Sequence, residues 1–163
     1  MERLWTPWRM EFVKGADGEQ PGCFLCNKPK EDNDTENLLL YRGERAYALL
    51  NLYPYNTAHT LVAPYTHGGD YGELDPATAA EIAAIAQRVV RAVQAEYRPE
   101  GFNTGMNLGR VAGAGMPDHL HLHIVPRWGG DTNFMPLVGG TKVMPETLDQ
   151  TYTRVRSALD ARR

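Results

Sequence analysis

Apolar and polar residues are arranged along the first half of the chain in the pattern of short β-strands. Between Leu38 and Leu50, the apolar runs LLLY and AYALL flank a polar turn at 42–45, which predicts a β-hairpin. Further strands are predicted at Thr60–Ala63 and, after residue 100, at Phe102–Leu108 and Leu120–Val125. The pattern therefore predicts a sheet of about five strands.

Two later segments have helical spacing instead. Asp75 followed by Pro76 is a helix start, with an N-cap and a proline in the first turn, and Pro99 ends the segment. The apolar face of this long helix consists of Ile82, Ile85, Val89 and Val93. A last helix has an apolar face formed by Leu148, Tyr152, Val155 and Leu159. Consecutive strands with one long helix and a C-terminal helix predict an α+β fold with a mainly antiparallel sheet.

Length and charge narrow the class of protein. The 163 residues fit one domain, predicted over residues 1–163, with an N-terminal arm and a metal-binding segment in residues 1–30. The net charge is −3, and acidic and basic residues are interspersed along the chain. The chain therefore has no basic stripe, which disfavours binding to duplex nucleic acid. No stretch approaches the roughly 20 apolar residues of a membrane helix, and the N-terminus does not resemble a signal peptide. We predict a soluble cytoplasmic protein.

Three of the five histidines alternate with aliphatic residues, at His119, His121 and His123. On a strand, side chains at every second position share a face, so this spacing predicts three imidazoles in a row. Neutral imidazoles have a nitrogen lone pair suited to nucleophilic attack or to metal binding. The alternative is a polar strand face with three surface histidines.

The run from His119 to Val125 resembles the signature of the histidine-triad (HIT) family, in which three histidines alternate with apolar residues. The segments NLYPYNTAHTLVAP and NLGRVAGAGMPDHLHLH resemble the same family. The resemblance implies a HIT-like fold in which His121 attacks the α-phosphorus of a nucleotide and His123 contacts its phosphate oxygens. It also places His119 and His59 in the catalytic group, although Ala58 stands where the family usually has glycine.

The same resemblance implies a set of nucleotide contacts. It places Asn51 on the ribose and Asn107 near the phosphates, whereas ordinary turn chemistry is the alternative for both asparagines. Small residues before the triad let backbone amides approach an anion closely, which favours a phosphate-binding loop over a simple flexible one. That loop consists of Gly113, Ala114, Gly115 and Met116. Where the family often has Gln, Ser or Thr in this stretch, Ala114 and Gly115 offer no side-chain donor.

The two cysteines of the chain, Cys23 and Cys26, form a C-x2-C pair. Such a pair supplies two of the four ligands of a zinc site, and a redox role is the weaker alternative. Resemblance to zinc-binding histidine-triad proteins implies that His67 and His119 complete a structural Zn2+ site. The remaining alternative is two buried thiols and a surface His67.

Longer similarities point to the branch of the family that contains diadenosine tetraphosphate phosphorylases and hydrolases. They include LWTPWRM, NLYPYN, GFNTGMNLG and the run that follows the triad. The resemblance implies cleavage of adenine dinucleoside polyphosphates through a nucleotidyl-His121 intermediate. Inorganic phosphate is slightly favoured over water as the acceptor that resolves this intermediate. The resemblance also implies a homodimer whose sheet continues across the interface. Candidate groups for holding the acceptor phosphate are Asn107, Arg110, the 113–115 backbone and Lys142.

Three other functions fit parts of the sequence. A purine nucleoside phosphoramidate hydrolase would use the same triad but lacks the C-terminal run in its usual form. A non-catalytic nucleotide-binding protein would keep the pocket yet has no need of a nucleophile at position 121. A structural zinc module would leave His121 and His123 unexplained.

Overall fold

The computed structural model describes residues 22–131 and 144–161 and contains one five-stranded sheet with helices on both of its faces. The strands are β1 (Leu39–Arg42), β2 (Ala46–Leu50), β3 (Thr60–Pro64), β4 (Gly101–Gly105) and β5 (Leu122–Arg127). The helices are α1 (Phe24–Asn27), α2 (Pro76–Tyr97) and α3 (Leu148–Asp160), with short 3-10 helices at Lys28–Lys30 and Arg110–Ala112. The predicted α+β class with a five-stranded sheet is therefore confirmed.

The strands lie in the order β1-β2-β3-β5-β4, and every neighbouring pair is antiparallel. The predicted hairpin is confirmed as β1 and β2. Strand β5 lies inside the sheet, between β3 and β4, so the histidines of its N-terminal end are next to the β2–β3 loop. None of the helices among the described residues is both long and apolar enough to cross a membrane.

Two strand boundaries differ from the predictions. Strand β4 ends at Gly105 instead of residue 108. The reason is that Gly105 pairs with His123 near the N-terminal end of β5, so the residues beyond it have no strand to pair with. Strand β5 begins at Leu122 instead of residue 120, because the Leu120 amide donates to the Gly68 carbonyl at 2.8 Å. His119 and His121 therefore precede the strand, and only His123 lies within it.

Each of the two long helices begins with a side-chain cap, and that of α2 is the one its sequence indicates. The Asp75 carboxylate accepts the Thr78 amide at 2.9 Å, which satisfies one of the unpaired N–H groups at the start of α2. Helix α2 ends at Tyr97, where Arg98 adopts a left-handed φ of 48° before Pro99. Helix α3 begins with a capping box formed by Thr147 and Gln150. These two helices pack on one face of the sheet, over the buried residues Leu40, Ala48, Leu50, Val62 and Ile124.

The opposite face of the sheet receives the short segment that contains both cysteines. A second buried cluster on this face consists of Leu25, Leu39, Tyr47, Leu49, Leu61 and Ala63. The Tyr47 hydroxyl donates to the Leu25 carbonyl, so the turn between Cys23 and Cys26 is bonded to the middle of the sheet. Burial of Leu25 and this hydrogen bond hold the cysteine pair beside the approach to β5. The aromatic arm with Trp5 and Trp8 lies outside the described residues.

Candidate active site and metal centre

His121 is held in one orientation by the backbone of the triad itself. Its Nδ1 lies 2.8 Å from the His119 carbonyl oxygen, and the side chain is buried. A carbonyl oxygen only accepts, so Nδ1 must carry the proton, and the lone pair of the neutral ring is on Nε2. The ring therefore offers a nucleophilic nitrogen whose position is fixed by a hydrogen bond on its far side.

A second chain of hydrogen bonds sets the proton on His123. The Tyr55 amide donates to His59 Nδ1 at 3.0 Å, so that nitrogen is an acceptor and the His59 proton is on Nε2. His59 Nε2 lies 2.9 Å from His123 Nδ1 and donates to it. The remaining nitrogen, the buried Nε2 of His123, must then carry the proton of that ring. Because the His121 and His123 rings are 5.0 Å apart, the site presents a nucleophile beside an N–H donor.

The β2–β3 loop forms its tight turn although its left-handed position is not glycine. Ala58 has a φ of 60°, a region where a side chain costs about 1 kcal/mol. The methyl group is buried with the core residues that pack beneath the loop. The Tyr55 ring also stacks on His59, with centroids 4.6 Å apart. The turn is thus compatible with Ala58, and it places His59 against His123.

The four residues predicted to bind metal come together. The ligand atoms of Cys23, Cys26, His67 and His119 all lie within 4.8 Å of one another. The two imidazole Nδ1 atoms are 3.3 Å apart, and each of three sulfur–nitrogen pairs is separated by 3.2 to 3.4 Å. Zinc bond lengths require tetrahedral edges of roughly 3.3 Å between two nitrogens and roughly 3.6 Å between nitrogen and sulfur. The donor set and its spacing therefore fit a four-coordinate zinc ion.

The surroundings of this cluster favour the ligand form of His119, whereas the thiolate form of Cys23 would need the metal itself. His119 Nε2 donates to the Pro64 carbonyl at 2.9 Å, which leaves Nδ1 as the ligand atom and fixes the ring. Burial lowers the pKa of His119, so the imidazole is neutral near pH 7. Burial raises the pKa of the Cys23 thiol, and a divalent cation would reverse this by stabilising the thiolate. Both nitrogens of His119 thus have partners outside the His121–His123 pair.

The three histidines do not form the single row that a continuous strand predicts. His119 faces the cysteines and His67, while His121 and His123 contact each other, with the ring of His123 beside that of His59. The reason is the irregular backbone before Leu122, which turns the first imidazole toward the metal cluster. The motif therefore serves two adjoining sites, joined by the peptide between His119 and His121.

The glycine-rich loop has fewer available amides than its composition indicates. The Gly113 amide donates to the Arg110 carbonyl at 3.0 Å, and the Ala114 amide donates to the Gly109 carbonyl at 3.4 Å. Within the described parts of the chain, the amides of Gly115 and Met116 have no acceptor. Of the four predicted phosphate donors, these two amides are therefore the ones available. Arg110 is exposed on the same loop, whereas Lys142 lies outside the described residues.

Both asparagines of the predicted nucleotide site make local hydrogen bonds. Asn51 Oδ1 accepts the Tyr53 amide at 3.0 Å, and Asn51 Nδ2 lies 3.4 Å from His59 Nδ1. Asn107 Nδ2 donates to the Gly113 carbonyl at 3.4 Å, so this side chain links the segment after β4 to the first residue of the glycine-rich loop. Both asparagines thus make the local hydrogen bonds that are typical of turns, and their contacts with ribose and phosphate stay predictions.

Gly69 lets the segment that bears His67 lie directly against residues 117–118, next to His119. A Cβ at this position would lie 2.2 Å from the Pro117 carbonyl oxygen, whereas one at Gly68 would meet nothing within 4 Å. We expect Gly69→Ala to separate the segment that bears His67 from residues 117–118 and to cost about 1–3 kcal/mol of unfolding free energy, because backbone must move. Denaturant unfolding measures this, with Gly68→Ala as the matched control. Equal stability of the two variants would contradict the expectation.

Comparison with known proteins agrees with the fold and identifies the family. The family model described as the HIT domain matches residues 32–130, more than half of the chain. The chain therefore belongs to the HIT domain family, and it is a histidine-triad enzyme. An AP-4-A phosphorylase of Mycobacterium tuberculosis is 41% identical over 158 residues, which cover 93% of this chain and 80% of that protein. The resemblance inferred from the motifs is thus confirmed at the level of the family.

Solved structures extend the comparison to the metal centre. A zinc-bound histidine-triad family protein from Mycobacterium smegmatis matches with a TM-score of 0.67 and 28% identity over 86% of this chain and 94% of that one. A histidine-triad nucleotide-binding protein from Sulfolobus tokodaii matches with the same TM-score and identity over 85% and 93%. A relative with this fold is therefore known to hold zinc, and the Cys–His cluster described above could bind a metal.

Proposed function

We propose that this chain cleaves dinucleoside polyphosphates of the diadenosine tetraphosphate type through a covalent nucleotidyl-His121 intermediate. The observation that carries the proposal is the pattern of hydrogen bonds in the site, from which the positions of the protons follow. The His119 carbonyl leaves the lone pair of His121 on Nε2, while His59 leaves an N–H on Nε2 of His123. A phosphoanhydride needs these two groups, a nucleophile for phosphorus and a donor for oxygen. The 41% identity to an AP-4-A phosphorylase supports this substrate class.

The reaction divides into two steps at one phosphorus atom. In the first, His121 Nε2 forms a bond to the α-phosphorus, and the bond from phosphorus to the polyphosphate oxygen breaks, which releases ATP. The N–H of His123 stabilises the charge that develops on the phosphate oxygens. In the second, an acceptor oxygen replaces His121 on phosphorus and releases the nucleotide. Water as acceptor gives AMP, and inorganic phosphate gives ADP.

The metal has a structural part in this proposal. Zinc at Cys23, Cys26, His67 and His119 would tie the cysteine segment to the residue whose carbonyl orients His121. All four ligands would come from the protein, the arrangement of a structural zinc site, which keeps no open position for substrate. We therefore assign His119 to the metal and to the orientation of His121, while His59, His121 and His123 serve the chemistry.

Inorganic phosphate is the proposed acceptor, slightly preferred over water. The supporting groups lie in the loop before the triad, where the Gly115 and Met116 amides are available and Arg110 is exposed. Arginine is permanently charged and binds phosphate through two N–H groups, which suits an acceptor dianion that must give up its hydration. Water needs no such site, so the loop would then have only the nucleotide phosphates to hold.

Product analysis of diadenosine tetraphosphate cleavage tests the function and its acceptor together. With millimolar phosphate we expect ATP plus ADP, and without it a markedly slower reaction. Arg110→Ala should raise the KM for phosphate and leave the KM for the dinucleotide unchanged, because the side chain would hold only the acceptor. Release of AMP at full rate without phosphate would identify a hydrolase instead. Failure to cleave, together with cleavage of adenosine phosphoramidate, would contradict the proposed substrate class.

The assembly and the cellular setting stay predictions. The proposed homodimer, with a sheet continuous across its interface, is supported by the position of β4 (Gly101–Gly105) at one edge of the sheet, where backbone groups can pair with a second strand. The single domain over residues 1–163 and the cytoplasmic setting are likewise proposals. None of them is needed for the hydrogen bonds that orient His121 and His123.

A further inference from the structure

The loop between β2 and β3, residues 51–59, decides which nitrogen of His59 carries the proton. The Tyr55 amide is the nearer of two donors at His59 Nδ1, at 3.0 Å against 3.4 Å for Asn51 Nδ2. Both donors belong to this loop, and they keep their place only if the loop is anchored. A shift of the Tyr55 amide by about 1 Å would lengthen the hydrogen bond beyond its useful range. The protonation of His123 then depends on whatever holds this loop to the sheet.

Asn56 is the side chain that anchors the loop. It is buried, and its amide nitrogen donates to the Pro126 carbonyl at 2.9 Å and to Asp131 Oδ2 at 2.7 Å. The backbone carbonyl of Asn56 accepts the His59 amide at 3.1 Å, which closes the turn before β3. Pro126 lies three residues after His123 on the same strand. Asn56 therefore bonds the loop that orients His59 to the strand that bears His123.

Asp131 completes the anchor as a fixed negative charge. Its carboxylate accepts from Arg127 Nε at 2.6 Å, from Arg127 Nη2 at 3.0 Å and from the Trp128 amide at 3.2 Å, in addition to Asn56. The Arg127 guanidinium holds the pKa of this carboxyl well below its usual range. Arg127 in turn donates to Asn103 on β4 at 2.7 Å. The anchor thus spans β4, β5 and the turn after β5.

We propose that Asn56 and Asp131 are positioning residues of the nucleotidyl-transfer site, which act by keeping the protons of His59 and His123 on their Nε2 atoms. If the Tyr55 amide moves away, His59 can carry its proton on Nδ1 and present a lone pair to His123. His123 must then place its own proton on Nδ1, and the N–H donor on its Nε2 is lost. This inference rests on the proposed function, because it concerns the same histidines.

Asn56→Asp tests this because it keeps the shape of the side chain and replaces both donors by acceptors. The new carboxylate would face the Pro126 carbonyl and Asp131, so the loop should detach. We expect kcat to fall about 10–100-fold with KM within about threefold, as for loss of an orienting hydrogen bond. In the 15N spectrum of the histidines, His59 and His123 should change from Nε2–H tautomers to mixtures. A purely structural role would leave the tautomers unchanged.

Asn37→Asp is the matched control. Asn37 is also buried, and its Nδ2 donates to a carboxylate, that of Glu31, at 2.7 Å. This pair lies before β1, outside the loop and the histidine chain. We expect a comparable loss of stability in this variant, with wild-type tautomers and wild-type kcat. An equal loss of kcat in the two variants would overturn the proposal.

Two further variants keep the test decisive if Asn56→Asp does not fold. They also separate this proposal from the proposed function. Asp131→Asn combined with Asn56→Asp restores a donor–acceptor pair between the two positions and should recover part of the Nε2–H signal. If Asn56→Asp does not fold, Asn56→Ala removes both donors without adding charge. Nε2–H tautomers that persist in a folded Asn56 variant would overturn the positioning role. An inactive wild type with the expected tautomer response would contradict only the proposed function.

Discussion

His121→Ala is expected to abolish turnover of diadenosine tetraphosphate while nucleotide affinity changes by less than about tenfold. The reason is that, in the proposed mechanism, the His121 nitrogen forms a bond to phosphorus in the transition state and makes only an ordinary contact in the ground state. We expect a fall in kcat of at least about a thousandfold, since neither product can form without the covalent intermediate. Steady-state kinetics and a nucleotide-binding isotherm measure the two effects.

Two controls show whether the loss of turnover comes from removal of the nucleophile or from damage to the folded protein. His121 is not among the metal-binding residues, so the variant should retain wild-type metal content and should still be protected from heat by bound nucleotide. The wild type, quenched during turnover, should contain an acid-labile nucleotide adduct on His121 that mass spectrometry detects. Wild-type turnover in His121→Ala would exclude the nucleotidyl-histidine mechanism.

The double variant Cys23→Ser with Cys26→Ser is expected to lose its zinc and to unfold at a lower temperature. Freshly purified wild type should contain about one zinc per chain, because four protein ligands complete a structural site. Zinc would bind the folded chain more tightly than the unfolded one, so its loss should lower the free energy of unfolding by about 3–5 kcal/mol, which corresponds to a fall in Tm of roughly 10 °C. Elemental analysis and thermal unfolding measure these quantities.

A chelator provides the matched comparison for the metal. It should lower the Tm of the wild type to that of the double variant and leave the variant unchanged. Activity should fall with the metal as well, because the His119 ligand also supplies the carbonyl that orients His121. Freshly purified wild type with no metal and two titratable thiols would rule out the zinc site.

The link between the two sites explains why one short motif contains three histidines. His119 contributes its ring to the metal cluster and its carbonyl to His121, and His123 receives its orientation from the other direction, through His59. The nucleophile and the donor are thus oriented from opposite sides of the site. Loss of metal should therefore first disturb the orientation of the His121 ring, whereas loss of the Asn56 hydrogen bonds should first change which nitrogen of His123 carries the proton.

Several features followed directly from the sequence because their causes are local. The cap at Asp75 and Pro76 and the apolar face of the long helix depend on neighbours within a few residues, and α2 begins where they indicate. The hairpin from Leu38 to Leu50 is equally local. The C-x2-C pair and the alternating histidines are chemical patterns that need no fold to be recognised, and the four residues implied as ligands do come together.

Other features had no signal in the sequence, because their causes lie far along the chain. The ends of β4 and β5 depend on where the partner strand begins and on the Leu120–Gly68 hydrogen bond. Asn56 and Asp131 were missed since an asparagine in a loop and an aspartate after a Gly-Gly turn are ordinary turn residues. Covariation between positions 56 and 131 is the kind of signal that would reveal them.

By itself, the sequence determined the elements of this protein and the chemical groups available to it: a five-stranded α+β fold, a histidine motif and four side chains that could bind a metal. Only the tertiary structure decided which nitrogen of each imidazole carries a proton. A tautomer is set by the partner on the opposite side of the ring, and for His119 and His123 that partner comes from another segment of the chain. For His59 the partner is the nearby Tyr55 amide, in a loop whose position depends on the distant Pro126 and Asp131. The chemistry of these histidines therefore depends on contacts that no local pattern encodes.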